Sequence, residues 1–324
     1  LPSGRGGGLS GVWRPACPDG SVDGADKVDA VDKEEPAGTA HVVNRGGSLR
    51  TAARRLLRDP LAVLAALVVA AVVIAAAVGP RLTGFDPEMQ VYEEAYLPPD
   101  SRHWAGTDSL GRDLAARLLA GARISLLIAL VAGLINLLLG VSYGAIAAYA
   151  GGRIDAVMMR IVDVLYGIPT ILVVILFMVW LDQGITNIFL AIGLTYWLNM
   201  ARLVRGEVLS LKEREFVQAA RALGAGPGRV LVRHILPNCA GVVLVTLTLF
   251  IPEAIFLEAF LSYIGLGVPA PAASWGSLAA DGARNLLSHP HLLLFPASAI
   301  CLTILAFNIL GDALRDLVSG DQEK

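Results

Sequence analysis

The sequence predicts an all-α protein that crosses a membrane six times and carries a polar loop between the fourth and fifth crossings. Of its 324 residues, 55% are hydrophobic and 17% are charged, and the mean hydropathy is +0.62. Soluble domains carry about 25% charged residues, so this is the composition of a membrane protein. Apolar runs of about the length that crosses a bilayer recur along the chain. The longest strongly polar run between them is Lys212–Asn238.

Six spans are predicted between residues 61 and 310, the third of them kinked at Pro169. They are Leu61–Val78, Ile124–Ala148, Ile154–Leu181, Ile185–Leu203, Cys239–Tyr263 and Leu292–Leu310. We divide the chain into a disordered cytoplasmic tail (1–47), a first transmembrane helix with an external segment (48–120), a five-helix core with a loop at 205–238 (121–318), and a C-terminal tail (319–324). The first 47 residues lack the continuous apolar stretch of a signal peptide, so the first span is expected to be a membrane helix.

Basic residues set the expected orientation. Four arginines closely precede the first span, which favours a cytoplasmic N-terminus; they are Arg50, Arg54, Arg55 and Arg58. Six spans then place both termini inside, in a multi-pass protein of the cytoplasmic (inner) cell membrane surrounded by the lipid bilayer. The external segment Arg81–Ala120 is an exception, because it also carries arginines: Arg81, Arg102, Arg112 and Arg117.

Motifs for chemistry are absent from the sequence. The four lysines are Lys27, Lys33, Lys212 and Lys324, and none completes a phosphate-binding Gly-x-x-x-x-Gly-Lys-Ser/Thr loop. Hydrolase, zinc-protease and Cys-x-x-Cys patterns are also missing. We therefore predict no catalytic residue, no metal site and no cofactor in this chain. The net charge of −2 gives no indication of nucleic-acid binding.

The polar loop predicts two short helices joined by a glycine turn. Phe216, Ala219, Ala220 and Leu223 recur at helical spacing and would form one apolar face. Gly224 and Gly226 end this helix, Pro227 suits the start of a second one, and Leu236-Pro237 closes the unit before the next span. Such a unit could rest on lipid headgroups or dock into a groove of a soluble partner. From physical properties alone, the two interpretations are about equally favoured.

Polar residues within the spans are candidates for a transport path. Asn136 lies in the second span, and Glu253 and Glu258 lie in the fifth. An acid inside a membrane is costly and suggests function, although a hydrogen bond across a helix interface is the more frequent role for such residues. On the external segment, Asp108 or Ser109 could cap a helix starting near Leu110, and His103 is expected to be structural rather than a metal ligand.

The polar loop resembles the EAA loop of ABC-importer permeases. The matching residues are Ala219-Ala220, Gly224 four residues later, and Ile235-Leu236-Pro237, with Gln218 where that family usually has Glu. Similarity extends from about Leu49 to Val318 and is strongest in several short motifs. These are His103–Asp108, Leu110–Asp113, Gly121–Leu126, Glu215–Val217, Arg233–Asn238, Leu261–Gly267, Ser274–Gly276 and Gly311–Asp316.

The resemblance is to the oligopeptide, dipeptide and nickel class, and to the second of its two permease subunits, of oligopeptide permease C type. It implies a homologous second permease, two P-loop ATPase subunits holding ATP and Mg²⁺, and an extracytoplasmic substrate-binding protein. It also implies that the loop couples to an ATPase groove through an inserted face, a turn and a charged rim. The residues concerned are Glu215, Phe216, Ala219, Ala220, Arg221, Leu223, Gly224, Arg229, Arg233, Leu236 and Pro237.

The favoured function is therefore ATP-driven uptake of peptides. Alternatives within the class are nickel or another small solute. A different class is an ion-coupled secondary transporter using Glu253 or Glu258, which should show an internal repeat; we find none. A membrane scaffold without transport is the third possibility.

Overall fold

A computed structural model describes residues 59–181 and 184–320. The predicted disordered tail, the arginines before the first span and residues 321–324 lie outside this range. The described residues form helices and connecting loops, with one isolated bridge between Thr107 and Asp113. The main helices are α1 (Pro60–Leu82), α2 (Leu114–Ala150), α3 (Gly152–Tyr166), α4 (Thr170–Leu181), α5 (Ile185–Lys212), α6 (Glu215–Ala222), α7 (Leu236–Tyr263), α8 (Trp275–Arg284) and α9 (His291–Gly320).

Five helical stretches in the described range are long and apolar enough to cross a membrane. They are Pro60–Gly79, Leu114–Ala150, Ile185–Lys212, Pro227–Tyr263 and His291–Val318. The third predicted span is instead two helices, α3 and α4, which meet at 82° and could form a sixth crossing as a bent pair. Pro169 was predicted to kink one helix. The chain breaks there instead, because the helix ends at Tyr166 and a new one begins at Thr170.

Helix α2 is the centre of the bundle and packs most closely on α5. Two glycines allow this approach. A Cβ atom at Gly140 would lie 2.4 Å from the Met200 Cβ, and one at Gly144 would lie 2.3 Å from the Ala201 carbonyl oxygen. Small residues at membrane helix contacts let backbones come together in this way. Helices α1, α7 and α9 also contact one another or α2 around this pair.

Segment 83–113 folds back over the ends of the helices, and we call it the cap. His103 is 2% exposed, and its Nδ1 lies 2.8 Å from an Asp113 carboxylate oxygen. The backbone N–H of His103 donates to Asp100, which lowers the pKa of that carboxyl. His103 is thus held by hydrogen bonds within the cap. Among the described residues, no group of three or more His, Cys, Asp or Glu side chains is placed to hold a metal ion.

The helix predicted to begin near Leu110 begins at Leu114. Its N-cap is Asp113, whose carboxylate accepts from the Ala116 N–H at 2.7 Å. Asp108 instead accepts from the backbone N–H groups of Leu110 and Arg112, and thereby closes a turn. Both aspartates suit a cap position, and the fold of the cap determines which of them serves.

Candidate functional site

The loop between α5 and α7 contains an exposed helix, a glycine turn and a π-helical segment. Helix α6 covers Glu215–Ala222, and Gly224 follows with a φ of +82°. This left-handed conformation is open to glycine and strained for most other residues. A Cβ at Gly224 would have no non-neighbouring atom of the described residues within 4 Å. The turn therefore depends on the backbone conformation of Gly224 and leaves free space around it.

The underside of this loop is firmly packed. Val217, Val230 and Ile235 are fully buried and belong to one apolar cluster with Val204 and Val208 of α5. The inner ends of α2 and α7 contribute to the same cluster through Ala145, Ala148, Cys239 and Val243. Val217, the last residue of the Glu215–Val217 motif, was not predicted to anchor α6, although it lies one residue after Phe216.

The outer side of α6 is free. Phe216 is 41% exposed and Leu223 is 89% exposed, and Ala219 between them is also exposed. Ala220 was predicted to share this face but is only 8% exposed, because it lies at the edge of the face next to Val217. Around the free apolar side chains lie the exposed charged residues Glu215, Arg221, Arg229 and Arg233. An apolar surface within a charged rim is typical of a docking site for another protein.

Two polar contacts attach the loop and its neighbours to the bundle. The Lys212 ammonium donates to the carbonyl oxygens of Ala148 and Tyr149, at 3.2 and 3.0 Å, at the C-terminal end of α2. A cation at that end of a helix also complements the helix dipole. Arg205 forms a bidentate salt bridge with Asp155 in the first turn of α3, and its two guanidinium nitrogens lie 2.6 and 2.7 Å from the carboxylate oxygens. A displacement of the loop would therefore act on α2, α3, α5 and α7 together.

The second half of the loop is helical and continues directly into α7. After one helical turn at Pro227–Arg229, residues Val230–Ile235 form a π-helix, in which the Leu236 N–H donates to the Leu231 carbonyl five residues earlier. Leu236 and Pro237 were predicted to close a separate unit. They are instead the first two residues of α7. Proline is tolerated in the first turn of a helix, because the backbone N–H that it lacks would have no intrahelical acceptor there.

A cleft of about 480 Å³ opens beside α5, α7 and α9. Its polar wall includes Asn136, Tyr196, Asn199, Glu207, Glu253 and Arg315. Asn136 is 3% exposed, and its side-chain oxygen accepts no hydrogen bond from the described part of the chain. The expectation that Asn136 bonds to a neighbouring helix is therefore not met for this oxygen. Two of the three predicted path residues, Asn136 and Glu253, lie together in this cleft.

Comparison with known proteins identifies the family. Residues 137–323 match the family described as binding-protein-dependent transport system inner membrane component. Residues 48–99 match the N-terminal TM domain of oligopeptide transport permease C. The chain belongs to this permease family.

Relatives of this permease align over most of its length. The oligopeptide transport system permease protein OppC of Bacillus subtilis (strain 168) is 47% identical over 262 residues, which are 81% of this chain and 86% of the relative. The dipeptide transport system permease protein DppC of the same organism is 48% identical over 264 residues, or 81% and 82% of the two chains. OppC of Escherichia coli (strain K12) is 42% identical over 267 residues, or 82% and 88%.

The third predicted path residue of this permease, Glu258, lies apart from the cleft. Glu258 is 1% exposed and is not part of the cleft wall. Its carboxylate accepts hydrogen bonds from Ser262 at 2.8 Å and from Ser274 at 2.5 Å, and Ser125 lies 3.4 Å away. These partners lie on α7, before α8 and on α2, so Glu258 joins three parts of the fold. Glu258 is therefore a buried acid whose carboxylate is satisfied by hydrogen bonds to neighbouring parts of the fold.

Several motifs shared with the family meet around Glu258. The Trp275 N–H donates to Ser125, and the Trp275 indole donates to the Leu118 carbonyl at 2.9 Å. A Cβ at Gly276 would lie 2.9 Å from the Glu258 carboxylate and 2.5 Å from the Ala259 Cα. The Gly121–Leu126, Leu261–Gly267 and Ser274–Gly276 motifs thus form a single buried junction. Sequence spacing could not show this, because the Gly121–Leu126 motif is far from the other two in the chain.

Proposed function

We propose that this chain is a non-catalytic permease subunit of an ATP-driven ABC importer for oligopeptides or dipeptides. The observation that carries the proposal is the packing of the loop around α6. One side of this loop is buried against the transmembrane helices, whereas the apolar side chains on the other side of α6 are exposed. Membership of the family and the names of its relatives support peptide transport. The importer would comprise this chain, a homologous second permease, two P-loop ATPase subunits with ATP and Mg²⁺, and an extracytoplasmic binding protein.

In this proposal, the exposed face of α6 inserts into a groove of an ATPase subunit on the cytoplasmic side. Phe216 and Leu223 fill the groove, and Glu215, Arg221, Arg229 and Arg233 form its charged border. Closure of the ATPase pair moves α6 as a rigid body. Because Val217, Val230 and Ile235 pack on the ends of the transmembrane helices, that movement is passed to the bundle. Leu236 and Pro237 carry it directly into α7.

The cleft beside α5, α7 and α9 is proposed to be this subunit's half of the translocation path. It is open at the side and needs a second permease to enclose it. Glu253 and Asn136 offer a carboxylate and an unpaired amide oxygen, both of which accept hydrogen bonds. Peptides carry many backbone N–H donors and an ammonium group, so these acceptors match their chemistry.

The alternative functions receive less support. Relatives of this chain are named oligopeptide, dipeptide and glutathione transport permeases, so nickel or another small solute is less favoured. An ion-coupled secondary transporter would use Glu253 or Glu258 without an ATPase. Glu258 is enclosed by serine hydroxyls, and a free apolar helix such as α6 has no role in that mechanism.

The test is reconstitution of the whole importer in liposomes, with labelled peptide supplied together with the binding protein. We expect uptake with ATP and none with a non-hydrolysable analogue. Uptake driven by an ion gradient without ATP would overturn the proposal.

The docking step has its own test. Leu223→Asp places a charge on the exposed apolar face and should abolish both uptake and co-purification of the ATPase, while the protein still inserts. Arg153→Gln, which removes an exposed charge at the start of α3, is the control and should leave both unchanged. If the Leu223→Asp variant binds the ATPase normally, α6 is not the coupling element.

A further inference from the structure

We infer that this permease binds an anionic phospholipid in a groove between α1 and α2. The groove has a volume of about 510 Å³. Its wall is apolar apart from two arginines, Arg81 and Arg123. The other lining residues are apolar and include Val73, Ala76 and Ala77 on α1 and Leu127 and Leu130 on α2.

Small side chains create the groove, and larger ones border it. Ala76 and Ala77 on α1 leave space beside α2, and Leu127 and Leu130 of α2 border the groove. Val73, Leu127 and Leu130 are 49%, 47% and 64% exposed, so the groove is open to the side. The helices come together again at Gly79, where a Cβ would lie 2.8 Å from Leu119. In a membrane, such an open apolar groove accommodates an acyl chain.

The length of the groove corresponds to one leaflet of a bilayer. Eight residues separate Val73 from Arg81 on α1, which is about 12 Å of helix, and seven separate Arg123 from Leu130 on α2, about 10 Å. Half of the ~30 Å hydrocarbon core is about 15 Å. The two helices run in opposite directions and are joined by the cap, and Gly79 faces Leu119, so Arg81 lies at the cap end and Arg123 lies about one turn deeper. Because long arginine side chains extend their charged groups toward the membrane surface from such positions, both guanidinium groups can reach the depth of lipid headgroups.

The charges at this end specify the headgroup. Arg81 and Arg123 are exposed, and neither makes a hydrogen bond or ion pair with another described residue. Guanidinium groups bind phosphate oxygens through paired hydrogen bonds, and basic pockets between membrane helices bind anionic headgroups. Two unpaired positive charges favour a lipid with net negative charge over a zwitterionic one. Such a site also accounts for arginines on the side where the positive-inside tendency does not place them.

The test uses the assembled transporter, purified in mild detergent and depleted of lipid. Native mass spectrometry would follow the binding of phosphatidylglycerol and of phosphatidylcholine with the same acyl chains. We expect a preference for phosphatidylglycerol in the unmodified protein. At about 1 kcal/mol for each arginine, Arg81→Gln with Arg123→Gln should weaken phosphatidylglycerol binding roughly 30-fold.

Two controls separate this site from general attraction and from free anions. Arg153→Gln with Arg160→Gln removes the same charge from two exposed arginines on α3 and should leave the preference unchanged. Ala77→Phe fills the groove while keeping both arginines and should also weaken lipid binding. Inorganic phosphate at millimolar concentration should not displace the lipid, since it has no chain for the groove.

Equal binding of the two lipids would overturn the inference. It would also be overturned if both arginine pairs reduced binding equally, or if phosphate alone competed. A cross-link from Ala77→Cys to the second permease in the assembled transporter, with no bound lipid, would show that protein covers the groove instead.

Discussion

The Glu258 carboxylate accepts a hydrogen bond from the Ser274 hydroxyl at 2.5 Å, sixteen residues further along the chain. Ser262 bonds to the same carboxylate oxygen. This contact holds the segment before α8 against α7 at a point that is almost fully buried. Because buried polar groups are costly without partners, the junction should be important for stability rather than for transport.

Glu258→Ala is expected to destabilise the protein by roughly 2–4 kcal/mol, since it removes the shared acceptor and leaves a cavity. Glu258→Gln keeps an acceptor oxygen and should cost less. Thermal unfolding of the purified transporter would measure both. Like Glu258→Gln, the change Glu253→Gln replaces a carboxylate with an amide. Because Glu253 is exposed, this change should leave the unfolding temperature unchanged. Unaltered stability of the Glu258→Ala protein would contradict the role of this junction.

Replacement of Gly224 tests the turn after α6. Gly224→Val forces a branched side chain into a φ of +82° and should reorient α6 and abolish uptake. Gly224→Asn is the matched variant, because asparagine tolerates the left-handed region, and it should retain most uptake. Uptake assays with quantified membrane insertion would compare the two. Loss of uptake in both would show that a partner, rather than the turn, excludes a side chain at this position.

Changes in the cleft should affect transport without affecting assembly. Asn136→Leu removes an acceptor from the proposed path and Glu253→Gln removes a negative charge from it, and we expect about tenfold slower peptide uptake, equivalent to about 1.4 kcal/mol. Binding of the ATPase should be unchanged. Thr248→Val serves as the control, since the Thr248 hydroxyl bonds to the Leu244 carbonyl of its own helix. Normal uptake by both cleft variants would remove these residues from the path.

The proposed orientation can be checked by labelling. In a protein whose Cys17, Cys239 and Cys301 are replaced by serine, new cysteines would be placed at Leu223 and Trp104. These positions are 89% and 67% exposed. A membrane-impermeant thiol reagent should label Leu223→Cys only from the cytoplasm and Trp104→Cys only from outside. The opposite pattern would invert the orientation and separate α6 from any cytoplasmic ATPase.

Local patterns in the sequence were sufficient for the helical membrane fold and for the glycine turn in the segment between α5 and α7. Hydrophobic run length depends only on consecutive residues, and so does the glycine turn at Gly224. The family motifs were also visible in the sequence. For the span around Pro169, the sequence predicted a kink but not the break into two helices. A proline indicates that a helix is disrupted but does not indicate the angle.

The sequence by itself therefore determined that this chain crosses a membrane and which segment projects from it. The tertiary structure decided which side of α6 is free, since Val217 is buried by residues of α2, α5 and α7. It also separated Glu253, which lines the cleft, from Glu258, which is enclosed by serines from three parts of the chain. Burial and hydrogen bonding depend on residues far apart in sequence, and only the folded chain brings those residues together.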